Sequence, residues 1–236
     1  MTAPAAVAPT APSAAAAVTG ALRVYSAEHI DAGRAAASPE AAETLAWARA
    51  FLTTAHPDLG RSGPVCPYTQ PSLRRGLFHI AVADTSPGAS PGGDLPALVA
   101  ELRAHYDALL ADLAEESDRE LLTVLLVLPQ LDREDSTVLD ELQRKAKDEF
   151  VEQGLMIGQF HPVCEEPGLW NHSFRPLRAP VPLLAVRKLL VFDLPFLTGD
   201  ETHLNHYLAR FAPEVPARIR AQLVTSVRAR RQGTAA

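Results

Sequence analysis

Apolar residues recur along this chain with two periods, and the switches between them mark its elements. Ser38, Pro39 and Glu40 have the residue types of an N-cap, a first helical position and a first turn. Leu45, Trp47, Ala48, Phe51 and Leu52 then recur at helical spacing, until His56-Pro57 stops the helix. Asp94 caps a second helix, with Leu95, Leu98, Leu102, Tyr106, Leu109 and Leu113 on one stripe. Ser136 caps a third, with Leu139, Leu142, Ala146 and Phe150 facing a core.

Between the helices the pattern is that of strands. Residues 77–83 are rich in β-branched and aromatic types, and 121–128 are apolar throughout, as expected of a strand covered on both faces. Leu155–Phe160 reads as a third strand and 183–193 as a fourth. Two helices over 200–211 and 216–230 follow. The order α-β-α-β-α-β-β-α-α predicts an α/β (or α+β) fold. It is a single domain with a mixed sheet of about four strands flanked by helices. The first three strands are expected to be parallel. The fourth, which follows the third with no helix between, is expected to run antiparallel to it.

Composition sets the limits. With 236 residues the chain suits one domain with a sizeable core. Residues 1–20 are Ala/Pro/Thr-rich and lack bulky apolar side chains, so they are expected to be disordered. The globular domain is assigned to 38–232. Residues 21–37 are left as linker, with Leu22, Val24, Tyr25 and Ile30 available to dock on the core. The net charge is −6, with both signs interspersed, which argues against a nucleic-acid footprint. No stretch approaches the roughly 18 apolar residues of a membrane span. The first basic residue is Arg23, and prolines interrupt the region before it, so no secretory signal is read there. Two cysteines make no disulfide scaffold. The expectation is a soluble, cytoplasmic protein of open oligomeric state.

Both cysteines lie in loops of one design. The first reads HPDLGRSGPVCPY over 56–68, and the second FHPVCEEPGLWNHSFRPLRAPVP over 160–182. Each sets a His-Pro pair ahead of a cysteine, among prolines, glycines and arginine. Such loops are stiff, and stiff polar loops on a packed scaffold are where sites lie. His161, directly after the third strand, is placed to face a crevice as a general base or a ligand. Cys66 is a candidate nucleophile or haem ligand, with Arg61 near enough to favour its thiolate. Cys66, His56, His161 and Cys164 are the candidates for a transition metal or haem, the group that remains open as cofactor. Arg61, Gln159, Asn171, Arg175 and Arg178 are candidate substrate contacts. Arginines three apart suit a carboxylate or phosphate, and so an anionic small molecule. The same arginines are equally suited to pin their loop through Glu165 and Glu166. His203 and His206 share a helix face but read as surface residues.

The marks His56-Pro57, Gly60-Arg61-Ser62-Gly63, Cys66-Pro67, Gly158 to Pro162 and Phe174 to Pro180 resemble those of a bacterial family known as a domain of unknown function. The likeness covers roughly residues 45–210. It implies no reaction. It does imply an accessory protein near small-molecule biosynthesis. The reading is an enzyme of small-molecule metabolism, specialised metabolism included, whose site forms where the two loops meet at one end of the sheet and works by acid–base or metal- or haem-assisted chemistry. The alternative from the residues themselves is a non-catalytic binding or partner protein with structural histidines.

Overall fold

The computed structural model describes residues 18–19, 21–33, 38–84, 94–216 and 219. Its centre is a mixed sheet of five strands, β2 (Leu22–Ser26), β3 (Phe78–Ala83), β4 (Thr123–Val127), β5 (Leu155–Phe160) and β6 (Leu183–Lys188). A two-residue strand, β1 (Val18–Thr19), extends one edge, and the spatial order is β1-β2-β3-β4-β6-β5. β3 and β4 are parallel, whereas β6 is antiparallel to both β4 and β5. The strands read from the sequence as parallel, β3, β4 and β5, therefore do point one way. What the sequence order did not indicate is that β6 inserts between β4 and β5.

β4 is apolar throughout because both its faces are covered. Val124 and Leu126 join one core cluster, and Leu125 and Val127 the other. On the first face lie α4 (Leu95–Ala111) and α6 (Thr137–Glu152), contributing Leu98, Leu102, Tyr106, Leu139 and Phe150. On the second lies α2 (Pro39–Trp47), which continues as a π-helical turn over Ala48–Leu52, with Leu45 and Leu52 against Phe78 and Ile80. Short helices α1 (Ala27–Asp31), α3 (Thr69–Arg74) and α5 (Glu116–Arg119) fill the connections. A 3-10 turn over Val191–Phe196 and helix α7 (Glu201–Phe211) close the β5 side, with Leu189, Leu197 and Tyr207 packed on Val151.

Several local readings change. Beside the four strands expected the sheet has a fifth of full length, because the segment assigned as linker carries β2, which pairs antiparallel with β3 and buries Leu22, Val24 and Tyr25. The domain thus begins before Ser38. The fourth predicted strand stops at Lys188 instead of running to 193, because Leu190 N donates to the Asp193 carboxylate (2.8 Å) and turns the chain. Asp94 caps its helix as expected, accepting from Ala97 N at 3.1 Å. Ser38 and Ser136 stand at N-cap positions but spend their hydroxyls elsewhere, on Tyr25 (3.3 Å) and Asp140 (2.9 Å). The tail assigned to 1–20 and the helix read over 216–230 lie outside the described residues, apart from Val18, Thr19, Pro216 and Ile219. Among the described residues no helix is long and apolar enough to cross a membrane.

Candidate functional site

The two Pro- and Gly-rich loops meet. The His56 ring lies on Phe174, with centroids 4.6 Å apart, and Asn171 Nδ2 donates to the carbonyl of Asp58 at 2.8 Å. Gly60 takes a left-handed φ of 77°, and a Cβ there would come within 2.9 Å of Trp170 Cβ. Only glycine allows that approach without a shift of backbone.

Most of the predicted contact residues are spent in making this junction. Arg61 folds back on its own loop, donating to the carbonyls of Ser62 (2.9 Å) and Val65 (3.1 Å). Arg175 donates to Glu165 (3.0 Å) and to the carbonyls of His172 (2.6 Å) and Phe174 (3.2 Å). Arg178 grips the other oxygen of Glu165 (2.5 Å) and the Cys164 carbonyl (3.1 Å). Hydrogen bonds from Arg175 and then Arg178 hold the Glu165 carboxyl below its usual range. The arginine pair pins its loop through these three carbonyls, with the exposed Glu165 bridging the two guanidinium groups.

The cysteine and histidine candidates do not gather. Cys66 packs on the α2 side of the sheet, against the cluster containing Phe78 and Ile80. Tyr68, two residues on, lies under the guanidinium of Arg187 (5.2 Å), at the Thr123 end of β4. His161 follows the opposite end of β5, and its ring turns to α6 on the other face. The sheet separates the two. His56 Nδ1 accepts from Asp58 N (3.1 Å) within an aromatic stack. Cys164 is 1 % exposed, and burial raises its thiol pKa. Among the described residues no three His, Cys, Asp or Glu side chains form a group able to hold a metal.

What the fold builds is a cleft of about 510 Å³ between α6, β5, the Val191–Phe196 turn and α7. That volume lies within the ordinary range for small-molecule sites. Its wall carries Asp140, Gln143, Arg144, Lys147 and Asp148 from α6 and Gln159 from β5. Glu166, Phe196, Asp200 and His203 complete it. Of the predicted site residues, Gln159 lines it directly, and His161 stands behind Asp140.

His161 is 2 % exposed. Its Nε2 lies 3.2 Å from Asp140 Oδ1, and the second oxygen of Asp140 accepts from Ser136 Oγ at 2.9 Å. An ionised carboxylate can only accept, so with Asp140 ionised Nε2 carries a proton, and in the neutral imidazole Nδ1 is then the bare nitrogen. That Nδ1 is buried with no hydrogen-bond partner among the described residues. Asp140 is 43 % exposed, so the pair has a wet carboxylate in front and a dry imidazole behind. Its main chain holds the ring in place: His161 N donates to Leu177 (3.3 Å), and its carbonyl accepts from Cys164 (3.2 Å) and Ala179 (3.3 Å).

A second pair borders the same cleft. His203 Nε2 lies 2.7 Å from Asp148 Oδ1, and its Nδ1 lies 3.9 Å from Asp200, which caps α7 by accepting from His203 N (2.9 Å). That backbone bond first, and the charges nearby, keep the Asp200 carboxyl below its usual range. Lys147 Nζ donates to the Phe196 carbonyl (3.2 Å), and burial lowers its pKa. A carboxylate backed by a buried imidazole, beside a half-buried lysine, is able to take up and return protons.

Both loops and the cleft fall inside one family. A family model described as a domain of unknown function (DUF6875) matches residues 41–222. The chain belongs to this DUF6875 family. No curated protein and no solved structure matches it. The residues that border the cleft, 140 to 203, all lie within the DUF6875 region.

Asp140, Lys147, Asp148 and His203 were missed as site residues. The one signal they left is that Asp140 and Asp148 are eight apart on a helix whose apolar stripe lies alongside. Charges beside an apolar stripe read as a solvated face until a second element covers them.

Proposed function

We propose that this protein is an enzyme that acts on a small molecule in the α6–β5–α7 cleft by acid–base chemistry. Asp140 is the group that takes the proton, and His161 is its positioning residue. The observation that carries the reading is the 3.2 Å pair between Asp140, on the cleft wall, and the buried His161. The imidazole fixes the carboxylate's orientation through Nε2, and Ser136 fixes the other oxygen. Lys147 and His203 stand on the same wall as proton donors. The metal or haem reading had four candidate ligands, of which no three come together among the described residues, so no step is assigned to such a group.

A second reading draws on the same pairs. Asp140–His161 ties α6 to the end of β5, and Asp148–His203 ties α6 to α7. As clamps between layers they suit a non-catalytic binding protein with structural histidines.

Incubating purified protein with a pool of extracted metabolites, followed by mass spectrometry, separates the two readings. For an enzyme, some species is consumed by the wild type. The Asp140→Asn variant, folded as judged by its melting curve, then consumes it at least about 100-fold more slowly. No change in any species, or equal turnover by the variant, overturns the catalytic reading and leaves the clamp.

A further inference from the structure

Phe192 is the most exposed large apolar side chain among the described residues, at 76 %, and Phe196 of the same turn is 48 % exposed. Between them Leu194 packs against a small core formed by Val151, Leu189, Leu197, Tyr207 and Val215. The Tyr207 hydroxyl donates to the Val191 carbonyl at 2.5 Å. The turn is thus fixed on that core while its two phenylalanines stand in solvent. An apolar pair on a fixed turn, at the rim of a core, is the kind of surface another element covers.

Two observations say which element. Ile219, the last described residue, already packs against the same core, and its N–H donates to the Pro216 carbonyl at 2.9 Å. The sequence beyond it keeps the pattern. Leu223 and Val227 follow Ile219 at intervals of four, the spacing of one helix face. At the rise of a helix these three positions span about 12 Å. The Val191–Phe196 turn, six residues of 3-10 helix, is about as long at roughly 2 Å per residue. Charge fits as well. From Pro216 onward the sequence has five arginines and no Asp or Glu, while Glu152 and Glu214, both exposed, adjoin Val151 and Val215 of the core.

We propose that residues 220–231 of this chain dock along the Val191–Phe196 turn. Leu223 and Val227 extend the row that Ile219 begins and cover Phe192, with the arginines on the side of Glu152 and Glu214. The occupant is this segment and not a second copy, because the residue that leads into it is already seated on the core. Phe196 lines the cleft from the same turn, so the docked segment braces one wall of the cleft. The packing is independent of the chemistry assigned to the cleft.

The test uses the full chain. Phe192→Ser, the pair Leu223→Ser with Val227→Ser, and all three together are compared in thermal melts. Phe192→Ser and the pair are each expected to lower the melting temperature by about 2–4 °C. The triple variant is expected to lose less than the sum, because each set removes the other's partner. In isotope-labelled protein, Leu223→Ser alone is expected to shift the backbone amide signals of Phe192 and Leu194. A Phe192→Ser melt at the wild-type temperature, or losses that add in full, overturns the proposal. Signals of the Val191–Phe196 turn that stay in place in Leu223→Ser overturn it as well. A dimer in solution that Phe192→Ser splits, with a melting temperature that rises with protein concentration, assigns the surface to a second copy and overturns it too.

Discussion

Arg187 sets two nitrogens against the two carboxylate oxygens of Asp193, at 2.8 and 2.5 Å. The Asp193 side chain is 2 % exposed and that of Arg187 20 %. The pair ties the end of β6 to the turn that follows, because Asp193 also accepts from Leu190 N. Removing one partner leaves a buried charge with nothing to answer it, which costs about 3–5 kcal/mol. Arg187→Met and Asp193→Leu are each expected to lower unfolding free energy by that much in urea titrations. The double variant is expected to recover most of the loss. Single variants within about 1 kcal/mol of wild type would show the pair to be dispensable.

His79 of β3 lies within electrostatic reach of His105 of α4 and His29 of α1. Burial, and then these two rings, push its pKa from 6.5 down to about 4. The unfolded chain therefore binds this proton more readily than the folded one. Its effect on stability is absent above pH 6.5, grows as pH falls, and is complete below about 4. The loss is up to about 3 kcal/mol. His79→Gln is expected to flatten the fall in stability across that window. Burial also lowers the His105 pKa, so a smaller slope of the same sign remains. Identical pH profiles for variant and wild type would contradict the burial of a neutral His79.

Gly60 and Gly33 share a left-handed backbone, with φ of 77° and 75°, but not their surroundings. A Cβ on Gly60 meets Trp170, whereas one on Gly33 meets nothing within 4 Å. Gly33→Ala is expected to cost about 1 kcal/mol, from backbone conformation alone. Gly60→Ala is expected to cost at least about 1 kcal/mol more, because the junction of the loops must open. Equal melting shifts would mean that the loops do not press together at Trp170.

Arg175 supports its loop mainly through two carbonyls, since its partner Glu165 has a side chain 70 % exposed. Arg175→Ala is expected to lower stability by about 1–2 kcal/mol. Glu165→Gln is expected to leave the melting temperature close to that of the wild type, because exposed ion pairs contribute little. Thermal melts of the two variants check the order, and an unchanged Arg175→Ala melt would show that the loop holds its shape without the arginine.

The junction of the two loops was legible in the sequence because its makers are local. Prolines and the left-handed Gly60 stiffen each loop, and His56, Asn171 and Phe174 stand where the chain must turn. The placement of His161 was legible too, as the residue after a strand. That its ring and Cys66 face apart was not, since it depends on which side of the sheet each loop crosses.

By itself the sequence determined the elements whose pattern repeats: β3, β4, β5 and β6, and the helices α4, α6 and α7. Period and composition act over a few neighbouring residues, so they need no partner to be read. The apolar run of β4 even carried its position, because only a strand covered on both faces excludes polar residues so completely. Tertiary structure alone decided the rest. β2 is five residues long and pairs with a strand more than fifty positions away, where its own pattern is too short to decide between linker and edge. β6 enters between β4 and β5 because pairing, not chain order, sets the neighbours in a sheet. Asp140, Lys147 and Asp148 look like solvated helix positions in sequence. Only the packing of α6 against β5 and α7 turns those charges toward one another and toward two buried histidines, which makes a wall of a cleft from one side of a helix.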